Sequence, residues 1–274
     1  MSTPYVIYAL FAFVLGAVVG SFLNVCICRM PEGESVVSPP SHCPKCDYRI
    51  RWYDNIPILS YLLLRGKCRG CRASISLTYP MVELLNALIT LALFLRVLPP
   101  RLLAEAPPEI ILRLGGVFAV LVVFCSALVV VTFIDLEHQI IPDSITLPGI
   151  VIGFAASFFI PQLGWANSLI GIVAGGGSLL LIAYGYELVA KKEGMGGGDV
   201  KLLAMMGAFL GWKAIIFIIF TASLIGSVIG VGVMLAKKKD ASLAIPFGPF
   251  LAGGAILYIF YGKRIIHWYL TMGS

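Results

Sequence analysis

Apolar residues do not alternate along this chain; they come in blocks. Runs close to the roughly 20 residues that a helix needs to cross a bilayer recur from the N-terminus onward. They fall at about 5–28, 81–98, 114–134, 145–161, 168–190, 200–217, 218–236 and 247–262. Such a pattern predicts an all-α polytopic membrane protein with about eight transmembrane helices. The division between the sixth and seventh is soft, because 200–236 is almost continuous and Gly211-Trp212 offers a break. Pro246 and Pro249 at the start of the last run suit a helix entry better than a helix interior. Met1–Leu10 lacks a basic start and no A-x-A-like site follows, so the first run reads as a retained span.

The polar positions divide the chain into a first helix at 1–28, a water-facing segment at 29–80 and a transmembrane core at 81–274. Composition agrees: 59% of residues are hydrophobic, 12% are charged and mean hydropathy is +0.95. Soluble domains carry about 25% charged residues, so the bilayer is the first partner. Lys and Arg set the orientation. With the N-terminus outside, the loops 29–80, 191–201 and 237–239 face the cytoplasm with 8, 3 and 3 basic residues. Outside lie Arg96, Arg101, Arg113, Lys263 and Arg264, with Lys213 unassigned. The net charge of +6 is thus mostly a topology signal, and nucleic acid is not an expected partner.

A segment as short as 29–80 cannot be held by a hydrophobic core alone. Its cysteines supply an alternative. Cys43 and Cys46 form one C-x-x-C, and Cys68 and Cys71 form another. Two knuckles at this separation match a structural zinc site. Four thiolates fill a tetrahedral shell and leave no open position for chemistry, so the zinc is expected to brace the segment. Gly66 and Gly70 permit the tight turns involved. A cytoplasmic placement disfavours disulfides, and free thiols would leave the doubled spacing unexplained. Cys26, Cys28 and Cys125 read as buried small side chains.

Acids are rare inside the spans, which makes each a question. Asp135 closes the third apolar run, and Asp143 follows Pro142 immediately before the fourth. Asp143 reads as a helix cap, complementing the dipole of the next helix. Glu137 and His138 read as solvated loop residues. Asp135 resists the capping explanation, because a helix C-terminus disfavours a carboxylate by up to about 1 kcal/mol. Asp199 lies at the same expected depth, at a helix start and behind a glycine-rich stretch; capping accounts for part of its placement.

That stretch reads "KKEGMGGGDVK". A phosphate loop would need G-x-G-x-x-G after a strand, or a loop ending in Gly-Lys-Ser/Thr. Here Gly194-x-Gly196-x-x runs into Asp199, and a carboxylate in the cradle would repel phosphate. What remains is a glycine loop that positions Asp199, since glycine allows positive φ and close backbone approach. Two carboxylates sharing a site can act as base and acid on water attacking an amide. Asp135 and Asp199 are the two acids that could meet at one depth. A proton-relay transporter or channel with a zinc-ribbon regulatory module is the alternative, weakened because both acids sit at one face and no acid lines the midplane.

Together these residues resemble the type IV prepilin peptidase (prepilin leader peptidase/N-methyltransferase) family. The resemblance rests on "GSFLNVCICRMP", the cysteine quartet, "NIPILSYLLLRGKCRGC", "ISLTYPMVELL", "IDLEHQIIPD", "GMGGGDVKLLAM" and "IPFGPFLA". It implies a bifunctional enzyme of the bacterial inner membrane. Such an enzyme cleaves the basic leader of prepilins or pseudopilins at the cytoplasmic face and methylates the new N-terminal amine. The substrate partner would be the prepilin helix within the membrane. The resemblance implies that Asp135 and Asp199 are the peptidase aspartates, supported by Gly196, Gly198, Asp143 and Lys201. It implies S-adenosylmethionine as methyl donor, associated with the zinc-knuckle segment. Glu83, Asp54 and Asn55 are the candidate contributors to methyl transfer. No Rossmann fingerprint appears in 29–80.

Overall fold

The structure is a computed structural model that describes residues 3–160, 163–190, 196–237 and 246–271. Lys191, Lys192 and Gly194 of the glycine stretch, and Lys238 and Lys239 of a basic loop, lie outside the described residues. The chain divides into two compact units, Met1–Val130 and Val131–Ser274.

The first unit contains helices α1 (Thr3–Arg29), α2 (Leu59–Leu63), α3 (Thr78–Val97) and α4 (Pro100–Glu105), and most of α5 (Pro108–His138). α1 and α3 pack along a seam of small residues. A Cβ at Gly16 would lie 2.8 Å from the Ala87 Cα, and one at Gly20 would lie 2.7 Å from the Glu83 Cα. Small residues spaced by four let helix backbones touch where apolar burial alone supplies no drive. Polar bonds fix the register. The buried Asn86 side chain donates to the Gly16 carbonyl at 2.8 Å and accepts from the Ser126 hydroxyl at 3.0 Å. Between α1 and α3 the chain makes a 3₁₀ turn (Trp52–Asp54), α2 and two cysteine turns.

The second unit contains the end of α5, then α6 (Asp143–Ser157), α7 (Trp165–Ala190), α8 (Gly197–Leu210) and α9 (Trp212–Lys237). α10 (Gly248–Leu257) follows and passes through a π-helical turn at Tyr258–Gly262 into α11 (Lys263–Thr271). α8 is the unit's core element: every residue from Leu202 to Phe209 is buried. A helix apolar on all sides is one enclosed by protein. Glycines again permit the approach. A Cβ at Gly207 would collide with the Gly171 carbonyl of α7, and one at Gly153 of α6 would lie 2.7 Å from the Phe209 ring.

Among the described residues, five helices are long and apolar enough to cross a membrane: α1, α3, α5, α7 and α9. The expectation of about eight spans is therefore met only in part. The 145–161 run becomes α6, which ends at Ser157; its 15 residues reach about 22 Å, short of the ~30 Å hydrocarbon core. The 200–217 run is not one helix. Gly211 breaks it at φ +81°, and Trp212 already belongs to α9. The 247–262 run forms a short apolar helix, Gly248–Gly262, whose last five residues are the π turn. A hydropathy window counts apolar residues without knowing whether they face lipid or protein, and α8 faces protein. Two local expectations also change. Glu137 and His138 belong to the last turn of α5, and Cys28 is exposed, with its Sγ 3.5 Å from the Tyr79 hydroxyl.

Candidate active site

Four helix ends of the second unit supply one cluster. Asp135 lies one turn before the end of α5, and Asp143 opens α6. Asp199 occupies the first turn of α8, and Gly248 begins α10. Asp135 is buried at 5% exposure, and its Oδ2 accepts the Gly248 backbone N–H at 2.9 Å. That N–H is one of the orphan donors at a helix start, where the dipole also favours negative charge.

Asp199 is held differently. Its Oδ1 is buried and has no hydrogen-bond partner among the described residues. It lies outside the five membrane-length helices. Burial first, and the Asp135 charge second, push its carboxyl up to about 6. The two acids thus act on each other electrostatically while their hydrogen-bonding environments differ.

Ile141 ties the cluster together. A Cβ at Gly198 would lie 2.9 Å from the Ile141 Cβ, and one at Gly248 would lie 3.4 Å from the Ile141 Cδ1 and 2.6 Å from Asp135 Oδ2. Both glycines are therefore places where a side chain would displace a wall of the site. This revises the expected reason for the glycines. Gly196 has φ −68°, and neither Gly197 nor Gly198 has positive φ; the requirement is space beside Ile141. Gly248 and Ile141 are not among the residues that the sequence singles out. The available signal is "IPFGPFLA", whose prolines by themselves indicate only a helix entry.

Asp143 and Asp199 do sit in first helical turns, where the dipole favours them, but the expected cap bonds are not made. Pro142 is the N-cap of α6, and the Asp143 side chain makes no cap bond. Its carboxylate instead receives Lys201 Nζ at 2.8 and 2.7 Å, joining α6 to α8. Asp199 is the third residue of α8 behind the N-cap Gly196, where no side chain caps the helix.

The first unit carries the second cluster. The Sγ atoms of Cys43, Cys46, Cys68 and Cys71 all lie within 4.8 Å of one another. Cys43–Cys71 and Cys46–Cys68 are each 3.9 Å apart. Four sulfurs about 2.3 Å from a tetrahedral ion would be about 3.8 Å apart, so the quartet could hold a metal ion. All four cysteines are free. The two turns repeat one another. The Cys43 N–H donates to the Tyr48 carbonyl at 3.0 Å, and the Cys68 N–H to the Ala73 carbonyl at 2.8 Å. Bridges His42–Arg49 and Lys67–Ser74 close them, with Asp47 and Arg72 at φ +53° and +61°. Gly66 does adopt positive φ, as expected, but Gly70 does not. The missing side chain of Gly70 makes room for Tyr48, whose Cβ would lie 3.2 Å from a Cβ at that position.

Of the other candidates, Asp54 is committed to Arg69, which donates through Nε at 2.8 Å and through Nη2 at 2.6 Å to Oδ1. That pair closes the knuckle segment. Glu83 is 8% exposed and accepts the Ile58 N–H at 2.7 Å. Asn55 lies with Pro57 in the wall of a cavity of about 350 Å³.

The fold and these sites define a polytopic helical membrane protein with one buried and one half-buried carboxylate in a single cluster and a four-cysteine centre. Comparison with known proteins narrows the class. The Bacterial Peptidase A24 N-terminal domain matches residues 14–97, and the type IV leader peptidase family matches residues 122–231. The prepilin leader peptidase/N-methyltransferase of Aeromonas hydrophila is 36% identical over 98% of this chain and 95% of its own length. That of Pseudomonas aeruginosa is 34% identical over 97% and 95%, and that of Myxococcus xanthus is 40% identical over 85% and 65%. The chain belongs to the type IV leader peptidase family and is an enzyme of it. No solved structure matches.

Proposed function

We propose that the chain is a membrane aspartic endopeptidase that removes the basic leader of type IV prepilins or pseudopilins. It also N-methylates the residue so exposed, with S-adenosylmethionine as donor. The reading places the protein in the bacterial inner membrane, N-terminus outside, with Asp135 and Asp199 near the cytoplasmic face. It divides the chain into a first helix at 1–28, a zinc-braced segment at 29–80 and a peptidase core at 81–274.

One observation carries the peptidase reading: the two acids have unequal environments. Asp135 receives a backbone N–H at a helix start, whereas Asp199 Oδ1 is buried without a partner among the described residues. A hydrogen bond to the charged form favours that form, and unpartnered burial favours the neutral one. Asp135 is thus suited to take a proton from water, and Asp199 to give one to the carbonyl oxygen of the scissile amide. After attack the proton on Asp135 passes to the leaving amine. Gly198, Gly248 and Ile141 shape this cluster, with Gly196 starting α8, and the Asp143–Lys201 pair braces α6 against α8.

The cysteine quartet is assigned a structural Zn²⁺, because four thiolates complete its shell. The ion would hold the two turns of a segment that has little core of its own. A mass-spectrometric assay tests the whole reading. A detergent-purified prepilin incubated with the protein and S-adenosylmethionine is expected to lose its leader and gain one methyl group. An intact prepilin, repeated with a second substrate, would remove the peptidase reading; leader loss without a methyl would remove the methyltransferase half.

A further inference from the structure

The second unit contains helices of two lengths, and the difference fixes a depth. α7 and α9 each have 26 residues, about 39 Å at the α-helical rise. That length suits a bilayer with its interfacial regions, about 40–45 Å. Both helices begin at a tryptophan, Trp165 and Trp212. The chain leaves both into lysines: Lys191 and Lys192 follow α7, and Lys237, Lys238 and Lys239 stand at the end of α9. Aromatic and basic side chains favour membrane interfaces. α8 has only 14 residues, about 21 Å.

The long and short helices share one end. α8 stops at Leu210, and α9 starts at Trp212. Gly171 and Gly175 of α7 pack on Gly207 and Leu203 of α8, so these two helices run antiparallel. The same register puts Asp199 level with about Leu179, and residues 180–190 of α7 continue past it by roughly 16 Å. α10 is offset against α9 in the same way. Gly254 packs on Ile218 and Phe250 on Gly226, so Gly248 stands near the level of Gly226. Residues 227–237 of α9 then run on by roughly 16 Å. α6 keeps pace with α8, because Gly149 and Gly153 pack on Met205 and Phe209. Three short helices therefore begin at the carboxylate cluster, and two long ones pass it.

The projecting ends are apolar and uncovered among the described residues. Leu181 and Val189 of α7 are 74% and 87% exposed, and Leu235 of α9 is 76% exposed. Between Gly226 and Lys237 the sequence has no charged residue. On α7, Tyr184, Tyr186 and Glu187 lie toward the end, where amphipathic and long polar side chains reach an interface. The half-exposed Asp143–Lys201 pair, at the cluster's own level, requires water on its side.

We propose that lipid covers α7 and α9 as far as Ala190 and Lys237, so that Asp135, Asp199 and Gly248 lie in a water-open recess below the headgroup level. The depth of the recess is the length of the projecting ends, roughly 16 Å. α6, α8 and α10 then have no need to cross the bilayer, because they start inside it. One consequence rests on the peptidase reading: the scissile amide has to be lowered into the recess as extended chain. A substrate segment held at the bilayer surface does not reach the two acids.

The test places a new tryptophan on each projecting end of the full chain in lipid nanodiscs. Leu181→Trp on α7 and Val231→Trp on α9 replace exposed side chains, as do Ile182→Trp and Leu235→Trp should either of the first pair fold poorly. Emission is read as the difference from the wild-type chain, first in phosphatidylcholine brominated along the acyl chains and then with aqueous acrylamide. Both added tryptophans are expected to emit to the blue, to lose most of their intensity in brominated discs and to resist acrylamide. Quenching by acrylamide instead would stand the ends in water, put the cluster at the bilayer surface and overturn the recess. Protection from both quenchers would mean that protein covers the ends, and would overturn it as well. A lipid signal at only one of the two helices has the same effect, since the recess needs both walls. No substrate enters the measurement, so each of these failures leaves the peptidase reading standing, and loss of that reading leaves the depth standing.

Discussion

The carboxylate cluster and the cysteine cluster differ in how the chain assembles them. Cys43, Cys46, Cys68 and Cys71 come together through two short turns that repeat the same backbone bonds. Asp135, Asp199 and Gly248 come from three helices, and the bond between Asp135 and Gly248 spans 113 residues. The first arrangement is local, and an ion can complete it wherever the two turns face each other. The second depends on the packing of α6, α8 and α10, and on glycines that keep side chains out of the way. One cluster should therefore be sensitive to metal and indifferent to distant packing. The other should be the reverse.

The largest effect that tests this contrast is loss of either acid. Asp135→Asn and Asp199→Asn are each expected to lower leader cleavage by at least roughly 10²–10⁴-fold. Methylation of a peptide that already lacks its leader should remain near wild type, read by methyl incorporation. If both activities fell together, the two clusters would not be functionally separate. Metal removal is the converse. Chelation, or Cys68→Ser, is expected to release near-stoichiometric zinc and to abolish methylation, while cleavage by the second unit persists. Metal analysis beside both assays checks this, since a structural zinc contributes folding energy directly.

The difference between the clusters also governs what is legible in sequence. The quartet is legible because ligand spacing within one short segment is itself the geometry. Asp135 is legible because an acid at a helix C-terminus runs against the dipole. Gly248 and Ile141 are not, because their contribution is a backbone donor and a packing contact reached through tertiary structure. The Asp143 reading is right about the dipole and wrong about the cap bond for a similar reason: its partner Lys201 lies 58 residues away, while the cap requires only its neighbours. The spans show the same limit. α1, α3, α5, α7 and α9 follow from apolar length, but α8 is apolar because protein surrounds it, and Gly211 ends it where hydropathy continues.

Packing dependence can be measured at the glycines. Gly198→Ala and Gly248→Ala would each drive a methyl group into Ile141 or Asp135, an overpacking of about 1–3 kcal/mol. Cleavage is expected to fall by roughly 10–100-fold in each, on the same energy scale. Ile141→Ala should partly rescue Gly198→Ala, because it removes the atoms met by the added methyl. It should do less for Gly248→Ala, whose nearest obstacle is Asp135 itself. Equal rescue of both would place the strain elsewhere.

A smaller, graded effect concerns protons. The Asp199 carboxyl is raised to about 6, so it keeps its proton below that pH and loses it above. As the proposed acid, it should lose activity as pH rises through about 6, with apparent values belonging to the coupled pair. Cleavage of a pre-bound substrate across pH 5–8 is expected to decline on the alkaline side. A rate that climbs through that range would reverse the assignment of acid and base.

The smallest effect is expected at Asp143 and Lys201. Their side chains are 53% and 40% exposed, and exposed ion pairs contribute only about 0.2–1 kcal/mol. If the pair merely braces α6 against α8, Lys201→Ala and Asp143→Ala should each reduce cleavage no more than about fivefold. The charge-swapped double variant, Asp143→Lys with Lys201→Asp, should recover part of the loss, because the two groups still attract across the same helix ends. Added salt should reduce the wild-type advantage as it screens the pair. A loss as large as that of Asp199→Asn, without recovery in the swapped variant, would mean that one of these side chains contacts the peptide. The carboxylate cluster would then extend to the solvent-facing start of α6, and its dependence on buried packing would be only part of its design.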